Sequence, residues 1–261
     1  MAAGGSGERS GTPALGYRGA TMIVRVEAPV AVVVTQADHA RLAADLLALL
    51  RLPGLADHPR RAELLRAVAD HDNGWWEVDA APRIDPASGR PLGFLAVPAA
   101  LRREVWRRGV ERFAAEFPWG AALTATHLLR LSARWAPDPE WAAERAELVR
   151  RRDELVAASG RDLAGLAADD RWLELADELS LAATTGDGAF VEAAGWRAAV
   201  ACARDGIELA LDPFPLAGAS RVSLRARRIP DRSWADDGEL ARALAAARWE
   251  SLAVLVAPRA G

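Results

Sequence analysis

MIVRVEAPVAVVVTQADHARLAADLLALL, residues 22–50, holds two hydrophobic periods in one run. Its first half has two short β-branched runs on either side of Glu27-Ala28-Pro29, which predicts a hairpin with Pro29 confined to the turn. Thr35 then has the character of a helix N-cap, with Asp38 three residues on in the acid position of a capping box. The helix that follows stops near Pro53-Gly54. Strand chemistry therefore passes directly into helix chemistry, and the question is which period dominates the rest of the chain.

Helical period dominates as far as residue 184. A second helix is predicted over about 60–72, apolar at Leu64, Leu65, Val68 and Ala69, with Gly74 placed as a left-handed cap beyond it. Further helices are predicted at about 99–117, 119–134, 138–158 and 161–184. Between them, residues 73–97 contain three prolines and three glycines with little periodicity. A stretch this long predicts a functional or covering loop. Beyond Gly195 the period changes. IELALD, RVSLRARRI and SLAVLVAP read as strands, with a short helix at DGELARALAAA. The expected fold class is α+β and mainly helical, a helical body with a small antiparallel sheet built from both termini. Residues 22–261 are expected to form one domain, and residues 1–21, polar and rich in Gly and Ser, a disordered tail.

Composition excludes several function classes. The 261 residues carry a formal net charge of −3, against a nucleic-acid binder held by bulk electrostatics. All 33 basic side chains are arginine, interspersed with acids. Cys202 is the sole cysteine, so a reducing, cytoplasmic setting is expected. No apolar run approaches the length of a membrane helix, and neither a glycine-rich phosphate loop nor a nucleotide fingerprint is present.

The four histidines are the informative residues. His39 falls in the first turn of a helix, His71 and Asp72 are adjacent at the end of the next, and His127 lies mid-helix in LTATHLLRL. His58, before Pro59 in a loop, stands apart. Imidazole nitrogen together with carboxylate oxygen suits a divalent transition metal. Each position also has a plain structural reading: a histidine on an apolar helix face is commonly a hydrogen-bonded core residue, Asp38 is accounted for by capping, and Asp72 can prepare the turn at Asn73-Gly74. Trp75 and Trp76 read as core anchors or as a pocket wall.

MIVR at 22–25, TQADHA at 35–40, HDNGWW at 71–76, PWGAALTATHLLRL at 118–131 and DELSL at 177–181 resemble the bacterial family catalogued as domain of unknown function 3891. The resemblance runs from Met22 to the C-terminus and carries no reaction with it. A looser resemblance is to the HD-domain metal-dependent phosphohydrolases, whose H…HD…D order is similar to His39, His71-Asp72 and Asp177. It implies an HD-like helical bundle in which those four residues hold a divalent metal ion such as manganese, iron, magnesium, nickel or cobalt. His127 is similar to the additional histidine of two-metal members, and as a residue titrating near 6.5 it is the candidate proton donor. Asn73, Trp75, Arg41 and Arg130 are the candidate substrate contacts, the arginines as clamps for a phosphoryl group. The expected function is a metal-dependent hydrolase acting on a small molecule, phosphorylated substrates among the candidates, with no nucleic-acid or membrane partner. The alternative is a binding or sensing module that uses the same His/Asp pocket without turnover.

Overall fold

The computed structural model describes residues 22–133, 139–186, 190–193, 196–203 and 206–258. The tail expected at 1–21 lies outside the described residues. The chain opens with strands β1 (Ile23–Glu27) and β2 (Val30–Val34). Helices α1 (Gln36–Leu49) and α2 (Arg61–Asp70) follow, then a 3-10 turn at Asn73–Trp75 that runs into α3 (Trp76–Ala80). Helices α4 (Ala99–Glu111), α5 (Pro118–Ser132), α6 (Pro139–Ala158) and α7 (Leu163–Thr185) complete the helical body. Strands β3 (Phe190–Ala193), β4 (Trp196–Ala203), β5 (Gly206–Asp212) and β6 (Ser220–Pro230) come next, then α8 (Asp237–Ala246) and β7 (Trp249–Pro258).

The sheet corrects the expected fold class. It is neither small nor purely antiparallel: seven strands run in the order β1-β2-β6-β7-β5-β4-β3. β5 and β7 pair in parallel, with Ile207 opposite Val254. A helical bundle of HD type with a minor sheet is therefore not the architecture. The two strands missing from the sequence reading, β3 and β4, include the run WRAAVACA. Its alanines give no strand signal, because alanine is depleted from strands where β-branched residues are enriched. The parallel pair is invisible locally, since β6 and α8 intervene between its members. Both ends of the chain do meet in this sheet, through β2 and β6, with Val30 opposite Pro230 and Val33 opposite Arg227.

Burial explains the strand sequences. β2 is apolar at every position because both of its faces are covered. Val32 and Val34 enter the main core with the helices, while Ala31 and Val33 pack with Leu240 and Leu244 of α8 and with Trp234. β5 alternates instead, burying Ile207, Leu209 and Leu211 and exposing Glu208. α1 lies against α2, α7 and β6. Its Leu42, Leu46 and Leu47 are fully enclosed, each worth about 1.5–3 kcal/mol relative to exposure. This packing sets α1 beside α7, and the site lies at their contact.

The 73–97 segment leaves the His/Asp residues in its middle and returns at its end. Ile84 N donates to Asp237 Oδ1 at the start of α8 at 2.7 Å, and Trp234 N to Gly89 O at 2.7 Å. Phe94 then packs edge-on to Trp75, so the middle is tied to the α8 end while both ends of the segment lie near the centre.

Candidate metal centre

Four helical elements each deliver part of a buried cluster. His39 comes from the first turn of α1, where Thr35 caps the helix by accepting from Asp38 N at 3.0 Å. His71 and Asp72 stand where α2 gives way to the 3-10 turn. His127 comes from α5, and Asp177 from α7.

Their side chains converge. His39 Nε2 is 2.9 Å from Asp177 Oδ1, and His71 Nε2 is 3.4 Å from the same oxygen. Asp72 Oδ2 lies 3.5 Å from His71 Nε2 and 3.9 Å from His39 Nε2. His127 Nδ1 is 3.9 Å from Asp177 Oδ2. Two sets, His39/His71/Asp72 and His71/His127/Asp177, each place their ligand atoms within 4.8 Å of one another.

The hydrogen bonds around the cluster assign the nitrogens. His71 Nδ1 lies 2.7 Å from Val68 O, and a carbonyl only accepts, so Nδ1 carries the hydrogen. Nε2 then points at the carboxylates and is buried with no hydrogen-bond partner among the described residues. Ser180 Oγ donates to Asp177 O at 3.0 Å, which leaves Oγ as the acceptor for His39 Nδ1 at 2.8 Å. His39 Nε2 therefore also faces inward. Each imidazole has its outer nitrogen anchored and its inner nitrogen turned to the acids, the arrangement usual around bound metals. Ligands about 2.0–2.2 Å from one ion stand about 2.8–3.6 Å apart at octahedral and tetrahedral angles. Three of the four separations among His39, His71, Asp72 and Asp177 fall in that range, so these groups could hold a divalent ion.

The electrostatics agree. Burial opposes charge on His71, but the Asp72 and Asp177 carboxylates outweigh it and raise its pKa to about 9. Burial also opposes ionisation of Asp177, yet the His39 and His71 contacts hold it well below the usual carboxylate range. Asp72 is pushed up by burial, against the pull of both histidines. A cavity of about 10 Å³ adjoins His71 and Asp72 between Trp75, Val105 and Trp106, room for a single water molecule. Asp72, 13 % exposed, is the most accessible member of the set.

The other candidates have different employment. Asn73 donates from Nδ2 to Asp70 O at 2.8 Å and Gly109 O at 3.0 Å, and accepts from Arg112, which docks the 3-10 turn on α4. Gly74 is not a left-handed cap. It is glycine because a Cβ there would lie 2.2 Å from Val105 O. Trp75 packs edge-on to Phe94 and walls the small cavity. Arg41 is 59 % exposed and pairs with Asp38 on the outer side of α1, away from the cluster. Arg130 pairs with Asp170 and Glu174 and donates to His127 Nδ1 at 3.1 Å. Burial holds His127 well below its ordinary pKa, assisted by His71 and Arg130, so it is neutral at neutral pH and donates only from Nε2. His58 donates from Nε2 to Asp169 Oδ1 at 3.0 Å, and Asp169 also accepts from Trp119. That is a clasp outside the cluster. Sequence reasoning gave no role to Ser180 or Asp79, although both fall in matched stretches, because their contacts lie on elements far apart in the chain. The only local signal was Ser180 three residues after Asp177, one helical turn away.

The sequence model of the family described as "Protein of unknown function (DUF3891)" matches residues 22–231. The chain belongs to this family. HDNGWW and DELSL, which carry the cluster and its Ser180 support, both lie within the matched span. No curated protein and no solved structure matches the chain. Among the described residues no helix is long and apolar enough to cross a membrane.

Proposed function

We propose that this DUF3891 protein holds one divalent transition-metal ion with His39, His71, Asp72 and Asp177 and is a metal-dependent hydrolase of a small molecule. The observation that carries the reading is the His71 Nε2 atom: fully buried, without a hydrogen-bond partner among the described residues, and aimed at two carboxylates. A buried polar atom without a hydrogen bond costs about 1–3 kcal/mol, and a metal ion that displaces the proton from this nitrogen would bridge it to the acids. Two imidazoles and two carboxylates nearly balance a divalent charge. When bound, the ion supplies Lewis acidity and lowers the pKa of water.

The protein's own groups do the rest. Val68 O and Ser180 Oγ orient the two histidines, the Trp75 and Trp106 rings wall the adjoining cavity, and His127 holds its proton at Nε2 because Arg130 occupies Nδ1. The arginines expected to clamp a phosphoryl group are engaged with acids, so the reading extends to hydrolysis and leaves phosphorylated substrates as one class to test. The one-water cavity favours a second reading, a binding or sensing module without turnover.

Elemental analysis of the purified chain, followed by reconstitution with manganese, iron or cobalt, tests the first claim. One equivalent of metal is expected, and none in Asp72→Ala. A wild-type chain that takes up no metal overturns the proposal. Chelator-sensitive hydrolysis of a panel of small esters, phosphate esters included, separates the hydrolase from the binding module.

A further inference from the structure

Helix α1 begins with backbone N–H groups that have no acceptor inside the helix. Thr35 Oγ1 satisfies that of Asp38. The first, on Gln36, is satisfied from another element: Gln36 N donates to Asp79 Oδ2 at 2.9 Å. Asp79 sits on α3, is 9 % exposed, and its other oxygen, Oδ1, is buried without a hydrogen-bond partner among the described residues. A buried acid is costly unless its bonds are needed, and the bond of this one goes to the first turn of α1.

That turn carries His39. The segment on which Asp79 sits starts beside Asp72, so the Asp79–Gln36 link spans the same gap as the 3.9 Å approach of Asp72 Oδ2 to His39 Nε2. We propose that Asp79 is a positioning residue of the metal centre: by accepting the Gln36 N–H it sets His39 of α1 against Asp72 at the start of the 3-10 turn. The inference rests on the metal reading above. Burial pushes the Asp79 carboxyl above its ordinary range, against the Gln36 donor. Asparagine, which keeps an acceptor oxygen of the same shape in place, is its conservative replacement.

The test is calorimetric titration of the intact chain with Co²⁺, alongside the visible absorption of the Co²⁺ complex, which reports ligand geometry. Supporting groups behind metal ligands are typically worth about 10–100-fold in affinity. Asp79→Ala is expected to weaken Co²⁺ binding by about tenfold or more and to alter the absorption bands. Asp79→Asn, whose amide oxygen accepts the same Gln36 N–H, should retain wild-type bands and an affinity close to wild type. Gln36→Pro deletes the donor instead, at the first helical position, where proline is tolerated. It should weaken binding as Asp79→Ala does, and it carries the comparison should Asp79→Ala fail to fold. Wild-type affinity and spectrum in folded Asp79→Ala or in Gln36→Pro would overturn the assignment, as would an Asp79→Asn protein as impaired as the alanine variant. Absence of Co²⁺ binding in the wild type overturns the metal reading and this inference together, and so is distinguishable from failure of the Asp79 role alone.

Discussion

His39 of α1 and Ser180 of α7 meet at 2.8 Å, Nδ1 to Oγ, and this contact decides which imidazole nitrogen faces Asp177. Ser180 is itself held by donation to Asp177 O, so one turn of α7 presents both an acid and the group that aims its histidine partner. Ser180→Ala removes the anchor and leaves a buried Nδ1–H unsatisfied. Metal affinity should fall by about tenfold or more, and stability by about 1–3 kcal/mol. Titration with Mn²⁺ and thermal denaturation of the metal-free protein measure the two separately. Unchanged metal affinity would mean that the serine supports only the helix packing.

Asp72→Ala and His58→Ala should separate in opposite directions. The first removes a ligand near the edge of the cluster, so bound metal is lost while the melting of the metal-free protein changes little. The second breaks the His58–Asp169–Trp119 clasp and leaves Asp169 Oδ1 without its partner. Stoichiometric metal should persist in His58→Ala, with stability lower by about 1–3 kcal/mol. Elemental analysis and calorimetry of both variants check this; metal retained in Asp72→Ala would remove that residue from the ligand set.

The pH dependence of the metal-free protein follows from His71. Its pKa in the folded state is raised to about 9, against an ordinary value near 6.5 in the unfolded chain. The folded state therefore binds the proton more tightly. Its stabilisation is complete below about pH 6.5 and is lost as pH rises through about 9. In chelator, the melting temperature should decline across that window, and His71→Gln should flatten the decline. A divalent metal competes with the same proton, so the increment in melting temperature on adding Mn²⁺ should grow over the same range. A metal increment independent of pH would argue against His71 as a ligand.

Gly74 and Gly109 touch, yet substitutions at the two should differ. A Cβ on Gly74 would stand 2.2 Å from Val105 O and 2.9 Å from Gly109 N, both backbone atoms unable to yield. Gly74→Ala should cost about 1–3 kcal/mol or more and displace the neighbouring Asp72, with a loss of metal affinity. On Gly109 the nearest atom is 3.4 Å away, an ordinary contact. There, alanine gains up to about 1 kcal/mol of helix propensity. Equal melting temperatures for the two variants would contradict the packing described.

By itself the sequence determined what short-range chemistry can encode. The Thr35 cap, the hairpin at 23–34 and the helical stretches follow from periods and capping residues within a few positions of one another. So does the candidacy of His39, His71 and Asp72, because imidazole and carboxylate have few alternatives at such a density. The sheet was only partly legible. β4 is built largely from alanine, which acquires strand conformation from its neighbours, and the β5–β7 parallel pair exists only once β6 and α8 have been laid down between its members. The H…HD…D resemblance named Asp177 beside His39, His71 and Asp72, but its contact with His39 across 138 residues is a tertiary fact, as are the outward face of Arg41, the pairing of Arg130 with Asp170 and the place of Asp79 at the start of α1. The physical reason is common to all four. Which acid meets which base depends on the directions in which packed helices point their side chains, and those directions are set by burial of the leucines and valines between them rather than by the charged residues themselves.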